Sequence, residues 1–339
     1  MDGGISCKST WVITEGHPGV EIQAVGLAEA LGLTPKIMRI KAPRLWARMP
    51  ANFWPAPLLI ARLQGVQLGP PWPEILITCG RRSAALALDI RRKSRAGGAM
   101  ETFAIHILYP QVDSKGLDIV VTPHHDLDNL HKHGHGGGNV ISTLGSLHAL
   151  NPQRLASEAD KIRDRLVGWP RPLVLVLVGG QSQNYRLDAA AMEAFGARLK
   201  HLHDTSGCSL AVMASRRTGE GNTAALAGAL AGTRTYFWDG EGDNPYCGFL
   251  GSADALVVTC DSVNMITEAT ATGKPVYVAM FKAISDRIES FNLNMCSAGH
   301  TRVFEEEIDF SWAPEPFLET PKVAAEIAQC YAAQGSPGD

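Results

Sequence analysis

The segment Leu173 to Val178 alternates leucine with valine and is closed at once by Gly179-Gly180. A strand with no polar side chain has no face for water. It belongs inside a parallel sheet that is covered by helices on both sides. The same grammar of short apolar run, polar or glycine-rich loop and helix recurs along the chain. Residues 11–14 form such a run, Glu15-Gly16-His17-Pro18-Gly19 the loop, and residues 20–31 the helix, with apolar positions at Ile22, Val25, Leu27, Ala28 and Leu31 and a stop at Gly32. Residues 74–78, the loop Gly80-Arg81-Arg82-Ser83 and residues 84–92 repeat it. Further strands are expected at 103–108, 117–122, 209–214, 253–259 and 275–279. Residues 158–167 read as a polar helix and Trp169-Pro170-Arg171-Pro172 as a linker. The 339 residues allow about two domains. The expected architecture is therefore α/β, with two Rossmann-like domains facing across a cleft, at 1–150 and 151–339.

Composition excludes several function classes. Lys+Arg number 31 against 34 Asp+Glu, so no general basic field points to nucleic acid. No run of about 20 apolar residues is present, so no transmembrane helix is expected. The first residues lack the basic stretch and apolar core of a signal peptide. The 7 cysteines are scattered, odd in number and without a CxxC pair, which fits reduced thiols in a cytoplasmic protein.

Parallel sheets bind ligands outside the carboxyl ends of their strands, and the polar loops fall there. Gly179-Gly180-Gln181-Ser182 offers backbone N–H groups to a phosphate, although a tight turn uses the same glycines. It is not a GxGxxG, which removes the nicotinamide fingerprint. Ser215-Arg216-Arg217 puts two guanidinium forks at the end of an apolar strand, where they match phosphate oxygens or solvate a helix start. Asp261 or Ser262 suits a helix cap. The same helix start can take a diphosphate, and Glu268, two turns in, can accept both hydroxyls of a ribose or lie on a solvated face.

The segments Gly16-His17-Pro18-Gly19-Val20-Glu21-Ile22-Gln23, Ser215-Arg216-Arg217-Thr218, Asn244-Pro245-Tyr246 and Asp261 to Ala269, with Gly273-Lys274-Pro275-Val276, resemble the mitochondrial-fission "elongated mitochondria" family. That family looks like a branch of the GT-B glycosyltransferase-like folds. The resemblance implies a nucleotide-diphosphate sugar as substrate and no separate cofactor. The donor would lie on the C-terminal half, against Gly179, Gly180, Gln181, Ser182, Ser215, Arg216, Arg217, Asn244, Tyr246, Asp261, Ser262, Met265 and Glu268. The acceptor side would be the N-terminal half, with Arg81, Ser83, His125 and Asp126. His17, or Glu15 beside it, is the candidate base. The implied activity is metal-independent transfer of the sugar to a lipid-linked or cell-envelope acceptor. The alternatives are nucleotide-sugar 2-epimerisation and a non-catalytic interaction role, as the fission name suggests.

Two further segments invite other chemistry. His124, His125, Asp126, His131, His133 and His135 include zinc-type ligands. Most of them lie in a glycine-rich loop without a fixed frame, so no metal site is expected. Residues 39–62 mix Arg39, Lys41, Arg44, Arg48 and Arg62 with Trp46, Phe53 and Trp54, a pattern suited to peripheral contact with the inner face of a membrane or to a packed connection.

Overall fold

The computed structural model describes residues 5–41, 57–63, 65–80, 82–97, 101–110, 112–127, 138–180, 187–238, 240–282 and 285–335. The chain divides into two units, one made of residues 1–149 and 318–339, the other of residues 150–317.

Unit 1 is built on a six-stranded sheet in the order β2-β1-β3-β4-β5-β6, every pair parallel. Its strands are β1 (Thr10–Thr14), β2 (Lys36–Arg39), β3 (Ile75–Cys79), β4 (Phe103–Ile107), β5 (Ile119–Pro123) and β6 (Val140–Thr143). The helices are α1 (Pro18–Ala30), α2 (Pro57–Leu63) and α3 (Ser83–Ala96). β3, β4 and β5 are buried at every residue, as continuous apolar runs require. Val12, Ile75, Ile77, Ile105 and Val121 pack on the face covered by α1, whereas Ile13, Leu76, Ala104 and Val120 pack on the face covered by α2 and α3.

Unit 2 has strands β7 (Leu173–Val178), β8 (Ser209–Ala214), β9 (Thr235–Phe237), β10 (Ala255–Thr259), β11 (Val276–Ala279) and β12 (Arg302–Val303). They lie parallel in the order β12-β11-β10-β7-β8-β9. Counted from its first strand, this is the doubly wound order in which the chain reverses direction between β7 and β10. Its helices are α4 (Pro152–Ile162), α5 (Ala189–Ser206), α6 (Glu220–Ala229), α7 (Tyr246–Ser252), α8 (Val263–Thr270) and α9 (Asp286–Ser297). Leu173 to Val178 are at most 1% exposed, as the alternating run of large side chains demands. Burying each contributes roughly 1.5–3 kcal/mol.

Two expectations are corrected. The helix read at 158–167 begins at Pro152, because the Asn151 side chain accepts the Arg154 N–H at 2.8 Å and proline fills the first helical position. The second domain does not run to residue 339. The segment from Leu318 returns to unit 1 as α10 (Glu319–Gly335), where Val323, Ala324 and Ile327 join the core beside α1. Its first turn is pinned: Glu319 Oε2 accepts the Gly145 N–H at 2.8 Å, and Thr320 Oγ1 accepts the His148 N–H at 2.9 Å. Glu319→Ala is expected to strand a buried N–H and lower the stability of unit 1 by about 1–3 kcal/mol. Hydrogen exchange at the Gly145 amide checks it, since undiminished protection would mean that the carboxylate is not its partner.

Candidate functional site

The reversal between β7 and β10 opens a crevice at the carboxyl ends of these strands, and side chains from three strand ends meet there. Thr259, the last residue of β10, donates its hydroxyl to Asp261 Oδ1 at 2.6 Å and accepts the Gly179 N–H at 2.8 Å. Asp261 Oδ2 accepts the Gly180 N–H at 2.9 Å. Thr218 donates its hydroxyl to the Gly179 carbonyl and lies 3.2 Å from Ser215 Oγ. The two glycines are forced by close approach. A Cβ on Gly179 would stand 2.1 Å from the Asp261 carboxylate, and one on Gly180 would stand 2.1 Å from the Arg217 carbonyl carbon. Both glycine N–H groups thus point inward and hold the turn. Gln181 and Ser182 lie outside the described residues.

Ser262, not Asp261, caps α8, its Oγ accepting the Met265 N–H at 3.4 Å. Asp261 is 8% exposed. Burial raises its pKa, opposed by the hydrogen bonds from Thr259 and Gly180 and by the charge of Arg217. Arg216 and Arg217 are exposed, and neither makes a hydrogen bond or ion pair among the described residues.

Glu268, in the second turn of α8, is 7% exposed. Tyr246, the first residue of α7, donates its hydroxyl to Glu268 Oε2 at 2.5 Å. Burial pushes the Glu268 carboxyl up to about 7, with the Tyr246 hydrogen bond and the Arg154 charge pulling the other way. Asn244 Oδ1 accepts the Tyr246 N–H at 3.0 Å. The far end of α7 is tied by Lys274 Nζ, which donates to the carbonyls of Leu250 and Gly251 at 2.9 and 2.7 Å.

In unit 1 the order reverses between β1 and β3, and the polar residues again collect at the strand ends. Glu15, just past β1, is ion-paired with Arg82. Ser83 is buried and donates to the Gly80 carbonyl at 2.7 Å. His125 and Asp126 share one turn of 3-10 helix after β5, with His125 Nε2 4.0 Å from Asp126 Oδ2. His17 precedes α1, is exposed, and its imidazole makes no hydrogen bond among the described residues. Glu15 is therefore held by Arg82 and not by His17.

Arg81, His131, His133, His135 and residues 42–56 lie outside the described residues. Of the basic segment at 39–62, Arg39 is engaged with Glu21 at 2.6 Å, and Arg62 Nε donates to the Leu68 carbonyl at 2.7 Å. Among the described residues no metal-binding set of three His, Cys, Asp or Glu side chains occurs, and no helix is long and apolar enough to cross a membrane. Sequence reasoning missed Arg82, Thr218 and Thr259. The sequence signal for Thr259 is a threonine that ends an apolar strand two residues before an acid.

Comparison with known proteins agrees with this architecture. The UDP-GlcNAc 2-epimerase from Neisseria meningitidis, solved bound to UDP-GlcNAc, superposes with a TM-score of 0.54 at 12% identity, covering 95% of this chain and 99% of that one. That likeness shows the GT-B fold. Uncharacterized protein RP120 of Rickettsia prowazekii (strain Madrid E) is 24% identical over 352 residues, 94% of this chain and 97% of its own length. Mitochondrial fission protein ELM1 of Arabidopsis thaliana is 30% identical over 282 residues, 78% of this chain, and the match spans 65% of the plant protein's length. The family model described as Mitochondrial fission ELM1 matches residues 18–331, and the chain belongs to that family.

Proposed function

We propose that the chain binds a nucleoside diphosphate sugar at the carboxyl edge of the unit 2 sheet and passes the sugar, without a metal, to a lipid-linked or cell-envelope acceptor. One observation carries the reading. Arg216 and Arg217 are two exposed guanidinium groups, neither in a hydrogen bond or ion pair among the described residues although the Arg217 charge reaches Asp261, on the turn against which Gly180 packs. A diphosphate is an anion suited to two such forks. The capped start of α8 adds backbone N–H groups, and Glu268 supplies an acceptor for the sugar of the nucleoside. In this reading the acceptor hydroxyl gives up its proton to a general base and attacks the anomeric carbon. The bond to the diphosphate breaks, and the arginines take up the charge of the leaving group. His17 is preferred to Glu15 because Arg82 already neutralises that carboxylate.

A second reading, 2-epimerisation of the nucleotide sugar, draws on the likeness to the Neisseria UDP-GlcNAc 2-epimerase. Radiolabelled UDP- and GDP-sugars incubated with the protein and membrane extract separate the two. Label entering lipid supports transfer, and an altered sugar without acceptor supports epimerisation. Absence of nucleotide binding would leave a non-catalytic interaction role. By calorimetry, Arg216→Ala is expected to weaken nucleoside diphosphate binding about fivefold, roughly 1 kcal/mol, and more so at low salt than at high. Unchanged affinity would move the diphosphate off this turn.

A further inference from the structure

The Glu268 carboxyl is almost wholly out of water, yet among the described residues only one of its oxygens accepts a hydrogen bond. Tyr246 Oη donates to Oε2 at 2.5 Å. Among the described residues Oε1 accepts no hydrogen bond, which leaves it the oxygen available to a ligand. A carboxyl group with both oxygens open accepts two neighbouring hydroxyls at once. Here Oε1 is unengaged, whereas Oε2 already accepts the Tyr246 phenol.

The phenol is well fixed. Tyr246 opens α7, its N–H is held by Asn244, and the opposite end of the helix is tied down by Lys274. Along its length α7 lies so close to α4 that a Cβ on Gly251 would stand 2.3 Å from the Leu155 carbonyl oxygen. Swinging Tyr246 away from Glu268 would cost a buried, charge-assisted hydrogen bond and leave the carboxyl without a hydrogen bond among the described residues.

We propose that Tyr246 sets the sugar specificity of the nucleoside site. Its hydroxyl occupies the place against Glu268 Oε2 that a second ribose hydroxyl would take, so Glu268 reads one hydroxyl of the ligand and is indifferent to the other. This rests on the reading of unit 2 as a nucleoside diphosphate site. It differs from the two-hydroxyl contact expected from the sequence, because Tyr246 reaches Glu268 from a different helix, 22 residues away.

The test uses UDP and GDP with their 2′-deoxy and 3′-deoxy analogues, titrated calorimetrically into the full chain. The wild-type protein is expected to bind one deoxy analogue roughly tenfold more weakly than the parent and the other within about twofold. Tyr246→Phe opens Oε2 and is expected to make both deoxy analogues several-fold weaker than the parent. Equal penalties for the two analogues in the wild type, or an unchanged pattern in Tyr246→Phe, would overturn the proposal. The wild-type asymmetry decides by itself if the variant fails to fold. Failure of UDP and GDP themselves to bind overturns the nucleoside reading as well, and it is visible before any analogue is compared.

Discussion

Gly180→Ala is expected to lower the melting temperature of unit 2 by about 6–12 °C. The added Cβ would stand 2.1 Å from the Arg217 carbonyl carbon, 2.3 Å from its oxygen and 2.4 Å from the Thr218 nitrogen. All three are backbone atoms, so no rotamer change relieves the clash, and separation of the β7 and β8 strand ends is the remaining response. Overpacking costs typically 1–3 kcal/mol, and a backbone clash belongs at or above the upper end. For a unit of this size each kcal/mol moves the midpoint by about 2–4 °C. Scanning calorimetry, with hydrogen exchange at the β7 and β8 amides, reads the effect. A midpoint within a degree of the wild type would mean that the turn is loose. Gly179→Ala should act differently, because its Cβ meets the Asp261 side chain, which can move only by releasing Thr259 and Gly180.

Glu268 provides the second large effect, through pH. Its folded pKa of about 7 lies above the ordinary carboxyl value of 4.5. Across that window the folded chain keeps a proton that the unfolded chain has released. Its contribution is therefore fully favourable below the ordinary value and is lost as pH rises through the folded one. The loss amounts to about 3 kcal/mol. Glu268→Gln keeps an acceptor for Tyr246 and cannot ionise. Urea unfolding should find the two proteins alike near the ordinary carboxyl pKa and the variant more stable by about 3 kcal/mol above pH 8. Asp261 and Glu319, also raised by burial, add the same sign to both proteins and cancel in the comparison. Parallel stability curves would show that Glu268 does not titrate in this range.

The central strands were legible because burial on both faces writes an uninterrupted apolar run, as in Leu173–Val178 and Ser209–Ala214. The edge strands were not. Lys36–Arg39 buries only Met38, and Arg302–Val303 is exposed throughout, so neither carries a two-sided pattern. Arg216, Arg217 and Glu268 were readable as polar residues at strand or helix ends. Their partners were not, because contacts such as Tyr246 to Glu268 or Asp261 to Gly180 depend on strand order, which local periodicity does not encode. The return of α10 has the same cause, since Glu319 and Gly145 are 174 positions apart.

That return has a consequence for biosynthesis. Unit 1 is discontinuous in the chain, and the side chains of Val323, Ala324 and Ile327 that complete its core follow the whole of unit 2. At about 5–20 residues per second, a ribosome spends roughly 8–34 s making residues 150–317 after the last strand of the unit 1 sheet has been synthesised. During that interval the face of the sheet beside α1 lacks its last helix, and nascent unit 1 is the part of the protein that most needs a chaperone. Unit 2 is continuous and can close first, so newly made chains should mature in the reverse of their order of synthesis.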